Sequence, residues 1–339
     1  MLPAKYNNFY QDLQPAIPDS RMVTDPLRTL AYGTDASFYR LIPKIVVKAH
    51  TEAEVAQIAK TADRHDIAVT FRAAGTSLCG QAITDSVLVI AGSNWKDYKI
   101  MDNGDRIRLQ PGIIGGLANG YLAPFGRKIG PDPASINAAM IGGIAANNAS
   151  GMCCGTSQNS YRTVSSMRII LHDGTLLDTG DSHSRKSFCK THPKLVADIE
   201  NLGRKVKDNP VLTDRIRRKF KIKNTTGYSL NALVDFEDPI DIFVHLMIGS
   251  EGTLGFISEI VYNTVIEHPH KASALMIFPH IENACTAAAI LTQEPVAAAE
   301  LMDRASLRSV ENNQGIPSYF KTLSATTTAL LVETRAHTA

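Results

Sequence analysis

The sequence predicts an α+β protein: two α/β subdomains, then the start of a further unit with an antiparallel sheet. Three observations predict it. A strand, an amphipathic helix and a second strand follow one another between Lys44 and Gly75. From there to Thr264 the strands are separated mainly by glycine-rich loops. After His268 the composition changes, and strand and helix patterns begin again. The expected divisions are an N-terminal arm at 1–31, a main domain at 32–264 with subdomains at about 32–112 and 113–264, and an incomplete unit at 265–339.

Each element has a local reason. Residues 1–30 carry Pro15, Pro18 and Pro26 and read as a short helix followed by a wrapping arm. IVVKA, from Ile45, is an apolar run of strand length. Thr51 with Glu54 three residues later has the form of a capping box, and Val55, Ile58, Ala59 and Ala62 then repeat at helical spacing. IAVTFRAAG is the second strand, and VLVIA (87–91) and RIRLQPG (106–112) are two more. The second region holds a short helix at 115–124, a strand at 164–174, a helix around 193–207 and a closing strand at 255–263. Beyond His268, KASALMIFP is a strand, HIENACTAAAILTQE a helix, and AAAELMD and TALLVET two strands. The last of these is barely finished at Ala339, so the chain is expected to be a fragment of a longer protein.

Composition removes several classes. The 339 residues suit about two domains at roughly 150 residues each. With 44% hydrophobic and 20% charged residues the chain is a folding one, and 35 basic against 33 acidic residues leave a net charge of only +2. A nucleic-acid partner is not expected from that balance. The N-terminus has no secretory pattern, and the longest uncharged run, Pro133 to Tyr161, is too rich in Gly, Asn and Ser to span a bilayer. Five cysteines without C-x-x-C argue against a local zinc or iron–sulfur site and for a reducing compartment. The expected location is therefore cytoplasmic, with peripheral attachment to the inner face of a membrane allowed. One charge run stands out, Arg204, Lys205, Lys207, Arg215, Arg217, Arg218, Lys219, Lys221 and Lys223 against Asp208 and Asp214. It reads first as solvated surface, with docking of an anionic partner or of membrane headgroups as the alternative.

Fourteen of the 23 glycines lie between Gly75 and Gly155. Glycine is entropically expensive, so such clustering marks backbone that must approach a ligand closely or adopt positive φ. No two glycines are spaced as G-x-G and no G-K-[ST] occurs, which excludes a Rossmann fingerprint and a P-loop. Four segments carry the signal. Arg72-Ala-Ala-Gly-Thr-Ser-Leu-Cys-Gly-Gln81 follows a strand and offers a nest of backbone N–H groups with two hydroxyls, suited to a pyrophosphate. Gly130-Pro-Asp-Pro-Ala-Ser135 is stiffened by two prolines. Ile141-Gly-Gly-Ile-Ala-Ala-Asn-Asn-Ala-Ser-Gly151 is not expected to be an ordinary amphipathic helix, because its Gly and Asn pairs oppose one. Ile248-Gly-Ser-Glu-Gly-Thr-Leu-Gly255 is a glycine turn leading into a strand.

These four segments, in this order, resemble the PCMH-type FAD-binding domain of the vanillyl-alcohol oxidase/p-cresol methylhydroxylase superfamily. The branch resembled is that of D-lactate dehydrogenase, the glycolate oxidase D-subunit and D-2-hydroxyglutarate dehydrogenase. Thr225-Thr-Gly-Tyr-Ser-Leu-Asn231 resembles a further segment of that branch. The resemblance implies that Arg72, Ala73, Ala74, Gly75, Thr76, Ser77, Gly80 and Gln81 wrap the FAD pyrophosphate. Asp132, Pro133 and Ser135 are implied beside the flavin or its ribityl chain. Gly142, Gly143, Asn147, Ser150 and Gly151 are implied at the ring edge and phosphates, and Gly252, Gly255 and Ile257 at the adenosine. Thr76 stands where tethering members have His, so FAD is expected to be non-covalent despite Cys153 and Cys154 nearby. A sugar-alcohol oxidase is disfavoured for the same reason.

The resemblance also implies oxidation of a D-2-hydroxy acid of the D-lactate or glycolate type to the 2-oxo acid. Electrons would pass to a quinone, cytochrome or iron–sulfur acceptor rather than NAD. Such chemistry needs a cation for the carboxylate and a base for the hydroxyl proton. Of ten histidines only His268 and His270 are close, beside Glu267, and they read as linker. Arg304 and Arg335 are candidates by proximity alone, with surface salt bridges the preferred use. In the family the substrate arginine, metal ligands and catalytic histidine come later than Ala339, so no catalytic or metal-binding residue is named. The chain alone is expected to bind FAD without oxidising hydroxy acids. The alternative is a flavin-binding electron-transfer subunit that works only with a partner protein.

Overall fold

The first β-α-β unit forms because Ile45, Val46 and Val47 are fully buried and Val87, Leu88 and Val89 are fully buried beside them. In the computed structural model, which describes residues 2–338, Ile45–Lys48 and Val69–Arg72 both pair parallel with Val87–Ile90, which lies between them. Met22–Val23 adds an antiparallel edge, giving a four-stranded sheet. The connecting helix Glu52–Arg64 starts at Thr51, whose hydroxyl accepts the Glu54 amide at 3.2 Å. Glu54 does not close the reciprocal half of a capping box on Thr51. Its carboxylate accepts the His50 amide at 2.8 Å and takes both arms of Arg21. The N-terminal arm packs onto this sheet through Phe9, Leu13 and Ile17, which are fully buried in its core.

A second sheet is antiparallel, in the order Tyr98–Met101, Arg106–Leu109, Phe256–Ile266, Val164–Ile170, Leu176–Asp178, with Arg127–Ile129 also paired to the 256–266 strand. Helices Pro193–Lys207 and Pro239–Met247 pack over it, with Ile199, Gly203, Ile240 and Val244 turned into the core. The two sheets meet where Phe256 packs against Phe71 and Trp95, at ring-centroid distances of 4.9 and 5.2 Å. The Trp95 indole donates to the Ala49 carbonyl at 2.8 Å. On the opposite side of the joint Arg168 reaches from the second sheet to both oxygens of Glu52 on the first helix, and Ser258 also donates to Glu52.

By contact the chain divides into two compact units, residues 1–151 with 155–265, and residues 152–154 with 266–339. The second unit is a three-stranded antiparallel sheet in which Thr328–Ala336 lies between His270–Phe278 and Ala298–Met302. Helix Ile281–Leu291 packs on it and buries Ala284 against Leu330 and Val332. Within this unit Arg335 donates to Glu333 and, at 3.0 Å, to the Cys153 sulfur. Arg304 is buried and not at the surface as expected, pairing with Glu311 at 2.8 Å and with the Phe320 carbonyl. No helix of the described residues is long and apolar enough to cross a membrane.

Candidate functional site

The parallel strand Val69–Arg72 ends by delivering its last residue under a loop. Arg72 is buried, and its guanidinium donates to the Ala82 carbonyl at 2.7 Å and the Tyr32 carbonyl at 3.0 Å. Burial pushes its pKa down, against the pull of Asp35 and Tyr32. It therefore fastens the loop from below. Above it the backbone N–H groups of Ala74, Gly75, Thr76 and Ser77 donate to no group among the described residues. Gly75 sits at φ +69° to turn the chain there. Ser77 donates to Gln81, which in turn donates to Glu251 at 3.1 Å, so the loop is latched to a turn 170 residues away.

The other walls are built from the glycine segments. Ile141–Ala146 is a short helix, contrary to the expectation for that stretch, because Ile141, Ile144 and Ala145 are buried while the glycines fit a close neighbour at 142 and open space at 143. Gly142 packs against Pro111, where a Cβ would lie 2.6 Å from the proline Cβ. A Cβ at Gly143 would meet nothing within 4 Å, and the N–H of this residue, in the first turn, has no carbonyl partner among the described residues. Asn147 ends the helix and Asn148 takes φ +46°. The turn at Ile248–Gly255 places Glu251 and Gly252 at φ +54° and +80°, with the Ser250 hydroxyl buried and without a partner among the described residues.

Together these surfaces border a cleft whose empty space, open solvent included, is about 1000 Å³. Of the residues expected at a cofactor, Arg72, Ala73, Ala74, Gly75, Thr76, Ser77, Gln81, Ser135, Gly142, Gly143, Asn147, Gly252, Gly255 and Ile257 line it. Gly80, Asp132, Pro133, Ser150 and Gly151 do not. Gly80 is needed beside the Tyr39 ring, which a Cβ would meet at 2.9 Å. Asp132 accepts the Gly151 amide at 2.9 Å, so these two hold the second and third segments together behind the wall. Phe71, Pro111, Met140, Ser250, Glu251 and Phe256 also line the cleft, although the sequence reading does not single them out. Ser250 and Glu251 lie inside a quoted motif, where attention to glycine alone passes over them.

The lining is chemically uneven. Its only charged side chains are Arg72 and Glu251, and it contains no histidine among the described residues. What it offers in quantity is unpaired N–H, from 74–77 and Gly143, against an otherwise apolar and small-residue surface. Such a surface fits a flat, largely apolar molecule carrying a pyrophosphate, held by charge-assisted hydrogen bonds. No group of three or more His, Cys, Asp or Glu among the described residues could hold a metal.

A cleft of this kind, at the joint of a small parallel sheet and an antiparallel one, suits a dinucleotide, and comparison with known proteins says which. The profile of an FAD binding domain matches residues 43–180, and that of the C-terminal domain of FAD linked oxidases matches residues 267–339. The chain thus carries segments of both domains of FAD-linked oxidases, and its cofactor is FAD. It is 28% identical to the D-2-hydroxyglutarate dehydrogenase of Escherichia coli over 269 residues, covering 74% of this chain and 25% of that protein. It is 26% identical to the mitochondrial D-lactate dehydrogenase [cytochrome] 1 of Saccharomyces cerevisiae, covering 80% and 38%, and 25% identical to the glycolate oxidase subunit GlcD of Escherichia coli, covering 88% and 51%. The chain thus spans between a quarter and about half of the length of these relatives. An alkyldihydroxyacetonephosphate synthase structure shares the fold, with a TM-score of 0.68 at 16% identity over 99% of this chain and 58% of that one.

Proposed function

We propose that this chain binds FAD non-covalently in the 1–265 unit and serves the oxidation of a D-2-hydroxy acid to the 2-oxo acid, with a non-NAD electron acceptor. The observation that carries the binding half is the row of unpaired amides at Ala74, Gly75, Thr76 and Ser77 opposite the open face of Gly143. When bound, FAD accepts a hydride or two electrons. The chain's own residues hold and orient it: the 74–77 amides and the Gly143 amide face its phosphates, and Gly143 and Gly252 give the backbone clearance. Thr76 supplies no imidazole for a histidyl link, so an acid-precipitated pellet is expected to be colourless, and a yellow pellet would contradict non-covalent binding. The relatives' names support the substrate class: the D-2-hydroxyglutarate, D-lactate and glycolate enzymes are all similar to this chain at 25–28% identity.

The cleft itself carries no free base for the hydroxyl proton: no histidine lines it among the described residues, and its one carboxylate, Glu251, is held by the Gln81 amide at 3.1 Å. A missing general base slows such a reaction by about 10²–10⁴-fold. The test is anaerobic mixing of the FAD-loaded chain with D-lactate, L-lactate, glycolate and D-2-hydroxyglutarate, followed by the visible flavin absorbance. Slow bleaching that favours the D-acids is expected. Bleaching by NADH in preference to every hydroxy acid would overturn the substrate class, and rapid bleaching by a D-acid would overturn the absence of a base.

A further inference from the structure

The segment 204–223 carries nine basic residues against two acidic ones, a surplus of seven in a chain whose net charge is +2. It forms the last turn of helix Pro193–Lys207, the whole of helix Pro210–Lys219, and the residues after it. Val206, Thr213 and Ile216 anchor the two helices to the core, which turns the cations outward. Asp214 is taken by Arg218 at 3.0 Å and Lys207 pairs with Glu237 at 2.6 Å. Arg215, Arg217, Lys219 and Lys221 are exposed and have no carboxylate partner among the described residues.

A solvated face would carry these cations among polar side chains. Here Val211, in the first turn of helix Pro210–Lys219, is 79% exposed, and Ile222, three residues past its end, is 64% exposed. Large aliphatic side chains standing in water beside unpaired cations serve a surface that is both anionic and able to take up hydrocarbon. We infer that this face docks on an anionic lipid bilayer, with the cations at the headgroups and Val211 and Ile222 entering the acyl boundary. An acidic protein would satisfy the charge as well. The exposed aliphatic pair favours the bilayer, because charge matching alone leaves Val211 and Ile222 in water; Ile222 also borders a small cleft beside Phe220 and Arg162. The inference stands apart from the substrate reading, because it uses none of the residues of the FAD cleft.

The experiment is co-sedimentation of the 339-residue chain with vesicles of phosphatidylcholine, with and without phosphatidylglycerol. Sedimentation is expected only with phosphatidylglycerol, and it should weaken as salt is raised. Arg215→Gln and Lys219→Gln should each lower the partition constant by about fivefold, as expected for one juxtamembrane cation. V211S with I222S should lower it further while leaving binding to heparin unchanged. Retained FAD absorbance in each variant shows that folding is intact. Failure to sediment with anionic vesicles, or sedimentation unaffected by the charge variants, overturns the proposal. So does loss of vesicle and heparin binding in equal measure in the aliphatic variant, which would mark a general polyanion surface.

Discussion

Gly142 and Gly143 are neighbours with opposite roles. A methyl at 142 would strike Pro111, while a methyl at 143 would enter the cleft. G142A is expected to destabilise the apo chain by about 1–3 kcal/mol through overpacking. Gly143→Val should leave apo stability nearly unchanged and weaken FAD binding severely. Thermal melts of both apo proteins, paired with FAD titrations, check this; equal loss of stability in both would show that the cleft assignment of Gly143 is wrong. The same distinction explains what was legible at this scale. Glycine clustering pointed to loops that line the cleft, because close approach and positive φ both demand glycine. It did not separate glycines that clear space for a ligand from those, such as Gly80 and Gly151, that clear space for Tyr39 and Asp132. That difference is a matter of tertiary neighbours, which spacing does not encode.

Among the elements, the strands Ile45–Lys48, Val69–Arg72, Val87–Ile90, Arg106–Leu109, Val164–Ile170 and Phe256–Ile266 and the helix Glu52–Arg64 were readable because their apolar periodicity is strong, whereas the short strands Met22–Val23, Tyr98–Met101, Arg127–Ile129 and Leu176–Asp178 were not. The helices Pro210–Lys219 and Pro239–Met247 were not, since the first is mostly charged and the second nearly continuous in apolar residues. A signal was present in both. Asn209-Pro210 and Asp238-Pro239 each place a capping side chain before a proline at the first helical position, and each cap accepts amide hydrogens. Helix Pro239–Met247 also carries His245, whose ring stacks on Phe236 at 3.9 Å and whose Nδ1 lies 2.7 Å from the Asp241 carbonyl. Burial pushes its pKa below the ordinary 6.5, so the folded state keeps it neutral while the unfolded state takes up a proton. Its stabilisation is complete above pH 6.5 and is lost as the pH falls below that value. Glu52, held below its ordinary 4.5 by Arg168 and Ser258 against the opposing effect of burial, has the same sign in a more acidic window. Melting temperature is therefore expected to drop below pH 6.5, and His245→Phe should flatten that drop while leaving the carboxylate-dependent fall below pH 4.5 in place. An unchanged slope near pH 6 in the variant would show that His245 is not the group responsible.

For the molecule as a whole, the class of fold was legible and the chemistry only partly so. Four glycine segments, far apart in sequence, do converge on one cleft, joined by the Ser77–Gln81–Glu251 chain and the Asp132–Gly151 pair. Convergence of that kind follows from strand order, which local patterns suggest but do not fix: the parallel strand carrying Arg72 meets the antiparallel strand beginning at Phe256 through Phe71, with Trp95 packed on Phe256 beside it. The central claim is that backbone amides, rather than cationic side chains, hold the cofactor's phosphates. Calorimetric titration of the apo chain with FAD and, in parallel, with riboflavin tests it most directly. Two charge-assisted hydrogen bonds at about 1.5–3 kcal/mol each give a preference for FAD of at least ~100-fold, with one FAD per chain. Riboflavin binding as tightly as FAD would contradict the claim.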